Sequence, residues 1–128
     1  VTAATSRPTQ KVLVIDDSQV VRLQVSRVLV TAGYSVIEAC DGQDALDKVT
    51  SHPELALVLC DINMPRMNGI EFLERLRPRV PVVMLTTEGQ LELRQRAKAL
   101  GAQGWIKKPF KPEHLVETVR KLAAVCGS

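Results

Sequence analysis

Four aromatic side chains in 128 residues, one Trp, one Tyr and two Phe, offer little for stacking against nucleic-acid bases, and no Lys/Arg run is longer than two. Direct nucleic-acid binding is therefore not expected. Cysteine is also scarce: Cys40, Cys60 and Cys126 make an odd count with no Cys-x-x-Cys spacing. That excludes a disulfide framework or zinc site as a first reading and points to a reducing compartment, the cytoplasm by default. The longest uninterrupted apolar run, Leu55 to Cys60, is six residues. A bilayer span needs roughly 18 or more, and no charged-then-apolar signal segment opens the chain, so neither a membrane protein nor an exported one is expected.

What remains is an ordinary globular composition, 45% apolar and 24% charged, at the length of one domain. A chain of this size buries roughly two-thirds of its unfolded surface and needs no staples to fold. Thr2 to Gln10 is polar with one proline, so residues 1–10 read as a flexible leader and 11–126 as the folded domain. The net charge of +3 hides a gradient: residues 1–64 carry 5 basic and 8 acidic side chains, residues 90–128 carry 8 and 3. The basic final third suits an acidic protein partner.

Apolar runs and helical patterns alternate along the chain. Lys11 to Ile15 reads as a strand, Ser18 to Ala32 as a helix closed by Gly33, Ser35 to Ala39 as a strand and Asp44 to Thr50 as a helix. Leu55 to Cys60, Val82 to Leu85 and Gly104 to Lys107 follow as strands, with helices over Gly69 to Leu76, Leu91 to Leu100 and Pro112 to Val125. Five strands alternating with five helices over short connections predict right-handed βαβ units: an α/β, doubly wound parallel sheet with helices on both faces. No Gly-rich phosphate loop follows the first strand, which weakens a nucleotide-binding reading.

Open parallel sheets bind ligands outside the carboxyl ends of their strands. Those ends carry Asp16 and Asp17, then Asp61, then Thr86 and Thr87, then Lys108-Pro109. If the first and third strands are neighbours, three carboxylates share one crevice. Two unit charges about 5 Å apart repel by roughly 3 kcal/mol at an effective dielectric near 20, so the cluster calls for a cation, and Mg²⁺ is the hard, oxygen-preferring choice. Lys108 can pair with a carboxylate or phosphoryl oxygen and Thr86 can donate a hydrogen bond to the same oxygen. These are the parts for phosphoryl transfer to a carboxylate, an Asp oxygen being a nucleophile that needs no general base.

Asp16-Asp17 after VLVI, the stretch Asp61-Ile62-Asn63-Met64-Pro65-Arg66-Met67-Asn68-Gly69, Thr86 after VVML and Lys108-Pro109-Phe110 after Gly104-Trp105-Ile106 resemble the receiver domain of two-component response regulators, most closely its single-domain chemotaxis type. The resemblance covers Lys11 to about Val125. It implies a flavodoxin-like sheet of strand order 2-1-3-4-5. It also implies phosphorylation of Asp61 by a histidine kinase or phosphotransfer protein, with Mg²⁺ held by Asp17, Asp61 and the carbonyl of Asn63, and by Asp16 through water. Lys108 would contact the phosphoryl group, Thr86 would swing toward it, and the Lys108-Pro109 peptide would be cis. Trp105, where the family more often has Tyr or Phe, would turn inward and remodel the face of the fourth helix, fifth strand and fifth helix for a downstream protein. Asn63 and Glu88 stand where the family tunes phosphate lifetime, and Thr87 replaces a usually smaller residue beside Asp61.

Taken singly, each feature has a plainer structural reading. An acidic pair after a strand is usually a helix cap, Asp61 could be a turn residue, Thr86-Thr87 a helix start, Lys108 a solvated charge and Trp105 a core aromatic. Their coincidence at successive strand ends favours the joint reading. His52 and His114 lack partners at ligand spacing and read as surface residues. Cys60 reads as structural, and Arg94, Arg96, Lys98, Lys111, Arg120 and Lys121 as solvated helix faces. Two rivals stand beside the signalling switch: an aspartate-nucleophile phosphatase, disfavoured because Asp16 and Asp17 are adjacent rather than spaced Asp-x-Asp, and a phosphate-independent interaction module, disfavoured by the complete acidic group with Thr86 and Lys108.

Overall fold

Val12 to Ile15, Leu57 to Cys60 and Val82 to Leu85 are apolar on both sides of the chain, so they need a sheet covered on both faces, and every one of these side chains is fully buried. The computed structural model describes residues 10–62, 67–76, 80–86 and 91–127. In chain order the elements are β1 (Lys11–Ile15), α1 (Gln19–Thr31), β2 (Ser35–Ala39), α2 (Gly42–Ser51), β3 (Leu57–Asp61), α3 (Gly69–Leu76), β4 (Val82–Thr86), α4 (Leu91–Ala99), β5 (Gly104–Lys107) and α5 (Pro112–Gly127). All four strand pairings are parallel, in the order β2-β1-β3-β4-β5. The doubly wound α/β class and the 2-1-3-4-5 order both hold.

Alternate residues of each strand feed opposite cores. Leu13, Ile15, Val58, Cys60, Val82 and Met84 pack with Ala45 of α2, Phe72 and Leu73 of α3 and Ala97 of α4. Val12, Val14, Leu57, Leu59, Val83 and Leu85 pack with Val25 and Leu29 of α1 and Leu115 and Val119 of α5. Helices α1 and α5 thus cover one face and α2, α3 and α4 the other. No helix among the described residues is long and apolar enough to cross a membrane.

Element ends shift from the sequence expectation where side chains cap them. Ser18 is not helical but the N-cap of α1, its Oγ accepting from Val21 N. Helix α2 starts two residues early, at Gly42, because Asp41 accepts from Asp44 N at 2.8 Å. Strand β3 starts two residues late and runs through Asp61. Helix α3 opens on a reciprocal capping box: Glu71 N donates to Asn68 Oδ1 at 2.9 Å and Asn68 N to Glu71 Oε1 at 3.1 Å. Gly33 and Gly101 carry φ of 100° and 108° just past α1 and α4, the left-handed turn that lets Tyr34 N and Ala102 N reach back to Leu29 O and Ala97 O. Gln10 is joined to the fold: its carbonyl accepts from Ser35 N and its side-chain amide donates to Ala123 O at 3.1 Å. The rest of the expected leader lies outside the described residues.

Candidate functional site

Strand register brings the acids together. Ile15 pairs with Cys60, so Asp16 and Asp61, each one residue further on, stand level where β1 and β3 end. This is also where strand order reverses, the crevice in which open α/β sheets place ligands. Carboxylate oxygens of Asp16, Asp17 and Asp61 all lie within 4.8 Å of one another. Asp16 and Asp61 are only 1% and 5% exposed, while Asp17 faces solvent.

Lys108 closes the group from β5. Its Nζ donates to Asp16 Oδ2 at 3.0 Å and lies 3.3 Å from Asp61 Oδ1. A backbone bond fixes the start of this reach, Lys108 N donating to Thr86 O at 2.7 Å. The Lys108-Pro109 peptide is cis. Burial alone would lower the ammonium's pKa, but the hydrogen bond it donates to Asp16 and the charges of Asp61 and Asp16 outweigh it, and the pKa is raised. Burial and the same two acids push the Cys60 thiol well above its ordinary value. That thiol donates to Asp61 O at 3.3 Å and is structural, not a nucleophile.

Three carboxylates against one ammonium leave two negative charges in a crevice built of hard oxygen donors. At roughly 3 kcal/mol of repulsion per close pair, a divalent cation is the matching counter-ion, and the donor set fits Mg²⁺ better than a metal that seeks nitrogen or sulfur. Asn63, the fourth expected ligand, and Thr87 and Glu88 lie outside the described residues. Thr86 ends β4 with 3% exposure, one position beyond Leu85, the register partner of Asp61.

Trp105 is not in the acid crevice. It sits opposite Met84 in register, half-buried against the core under α3 and α4. The guanidinium carbon of Arg94 lies 5.1 Å from its ring centroid. Arg94 is thus half-buried and not the solvated charge expected of it, whereas Arg96, Lys98, Lys111, Arg120 and Lys121 are exposed. His114 is exposed and His52 is half-exposed, 3.4 Å from Glu54.

Sequence reasoning missed Arg22. From the first turn of α1 it donates Nη1 to the carbonyl of Asp16 at 2.5 Å and Nε to Glu38 Oε1 at 3.1 Å. The available signal was its place four residues after the Ser18 cap, since helical side chains lean toward the N-terminus and hence toward the β1 end.

A family model described as the response regulator receiver domain matches residues 12–120. The chain is 35% identical over 116 residues to sporulation initiation phosphotransferase F of Bacillus subtilis, covering 88% of this chain and 92% of that one. It is 36% identical over 125 residues to chemotaxis protein CheY1 of Helicobacter pylori, covering 92% and 98%. Among solved structures, chemotaxis protein CheY4 of Vibrio cholerae superposes with a TM-score of 0.84 at 42% identity, covering 90% of this chain and 99% of that one.

Proposed function

The chain belongs to the response regulator receiver family of two-component signalling, and from that premise we propose that it is a switch thrown by phosphorylation of Asp61. The observation that carries this reading is the convergence of Asp16, Asp17 and Asp61 around the ammonium of Lys108. An Oδ of Asp61 attacks the phosphorus carried by a partner's phosphohistidine. The new O–P bond forms as the P–N bond breaks, and the electron pair returns to the imidazole nitrogen. No proton need leave Asp61, so no general base is required.

Lys108 stands where it can transfer its contact from the Asp61 carboxylate to an oxygen of the arriving group, and Thr86 can donate a hydrogen bond to the same group. Asp17 and Asp61, with the carbonyl of Asn63 and Asp16 through water, are the residues that would hold Mg²⁺, whose chemistry is to neutralise charge on the phosphoryl oxygens. The product is an acyl phosphate on the protein itself, which makes the chain a switch and not a metabolic enzyme.

Output falls to the face of α4, β5 and α5, elements on which Trp105 is half-buried and Arg96, Lys98 and Lys121 are exposed. This basic rim suits an acidic protein surface. The direct test is incubation with acetyl phosphate and Mg²⁺, read by intact mass. The chain gains one phosphoryl group, and neither the Asp61→Asn variant nor the native chain in EDTA does. Equal labelling of Asp61→Asn contradicts the proposal.

A further inference from the structure

We propose that Arg22 is a positioning residue for the acid site, acting through the backbone of Asp16 to place Asp17 for the cation. The inference rests on the Mg²⁺ reading of that cluster and concerns a residue that does not join it.

Asp16 is held at every polar group. Its N–H donates to Ala39 O at 3.2 Å, Oδ1 accepts from Ser18 N at 2.9 Å, Oδ2 accepts from Lys108 at 3.0 Å, and its carbonyl accepts from Arg22 Nη1 at 2.5 Å. Asp17 differs. It is exposed, and among the described residues no side-chain hydrogen bond holds its carboxylate. Among the described residues, what sets the direction of that carboxylate is therefore its backbone.

The carbonyl of Asp16 and the nitrogen of Asp17 belong to one planar peptide unit. A donor that fixes the first fixes the plane from which the second projects. Arg22 is suited to this because its guanidinium is forked: Nε is anchored on Glu38 of β2 at 3.1 Å, so Nη1 meets the carbonyl from a set direction. The Arg22 side chain is only 15% exposed, which keeps water from competing. One side chain thereby ties α1, the end of β1 and β2 together beside the acids.

Charge makes the test sharp. Arg22 is cationic near a cation site, so deleting its charge favours Mg²⁺ by simple electrostatics. Only a positioning role predicts the opposite sign. Mg²⁺ alone is titrated calorimetrically into the native chain, Arg22→Gln and Arg22→Lys, with unfolding in EDTA as a check that each variant is folded. Both variants are expected to bind Mg²⁺ about ten-fold more weakly, the scale set by residues that orient metal ligands. The lysine variant keeps the charge and loses only the fork. In an Asp17→Asn background the Arg22→Lys loss should largely vanish, because the route through Asp17 is already gone.

Unchanged or tighter binding in both variants overturns the proposal, as does an equal loss in the two backgrounds. A native chain that takes up no Mg²⁺ overturns the reading of the cluster and this inference with it, and that result is distinct from binding that ignores residue 22.

Discussion

Lys108 and Asp16 are 92 residues apart in the chain, yet they meet at 3.0 Å, the lysine reaching from β5 past the ends of β4 and β3 to β1. The contact ties the last strand of the chain to the first, across β4 and β3, and its removal has a calculable direction.

Lys108→Met leaves Asp16 buried with no ammonium beside it. Breaking such a pair costs several kcal/mol when both groups are deeply buried. Lys108 is about a fifth exposed, so about 2 kcal/mol is expected in metal-free urea unfolding. Because the folded pKa of Lys108 is raised, its contribution is complete below the ordinary lysine value of 10.5 and is lost only as pH climbs through the higher folded value. The native-minus-variant difference should therefore be flat from pH 6 to 9. Equal stability of the two chains at neutral pH would deny the pair any role.

Asp17→Asn should do the reverse. Removing one of three mutually repelling carboxylates stabilises the metal-free chain by about 1 kcal/mol while weakening Mg²⁺ binding. For the native chain, Mg²⁺ at ten times its dissociation constant should add about 1.4 kcal/mol. A thermal scan with and without Mg²⁺ reads both effects, and a variant that gains as much from Mg²⁺ as the native chain would remove Asp17 from the site.

The alternation of strands and helices, the two-faced burial and the acidic strand ends were legible because each rests on a local pattern: continuous apolar runs, helical spacing, an abrupt stop at a charge. Strand order was not local, and came only with the family resemblance. Caps at Ser18 and Asp41 moved boundaries by one or two residues, since a capping side chain imitates the first turn it terminates. Arg22 was hidden for a different reason. Read along α1 it is one polar residue between apolar ones, and its partners, the carbonyl of Asp16 and the carboxylate of Glu38, are defined only once β2 lies beside β1. Arg94 was misread likewise, because its half-buried place over Trp105 depends on how α4 lies against β5.

Gly69 is where the end of β3 leaves no room. A Cβ there would lie 2.7 Å from the carbonyl oxygen of Asp61 and 2.9 Å from the Cα of Ile62, backbone atoms that cannot yield. At Gly42 the obstruction is the Met67 side chain: Cγ and Sδ at 2.7 Å can rotate, while Cβ at 2.9 Å yields only if the backbone of Met67 shifts, one residue's adjustment against the strand-end backbone that blocks Gly69. Gly69→Ala is therefore expected to cost about 2 kcal/mol and to disturb phosphorylation, and Gly42→Ala clearly less. Chemical denaturation of the two variants side by side checks the ranking, and the reverse order would contradict it.

Thiol reactivity reports the burial of the strand end. In a Cys126→Ser background, exposed Cys40 should react at once with a disulfide reagent, while Cys60, buried and with its pKa raised, should react only on unfolding. Prompt reaction of two thiols in the native protein would mean that the end of β3 opens to solvent.

On the proposed function, one particular carboxylate, that of Asp61, receives the phosphoryl group. After treatment with acetyl phosphate and Mg²⁺, borohydride reduces an acyl phosphate to a homoserine residue, and peptide mass spectrometry then locates it. The expected result is conversion at Asp61 alone, with Asp16 and Asp17 unmodified. Conversion at either of those residues, or an unmodified Asp61 in a chain that carries phosphate, would contradict the account.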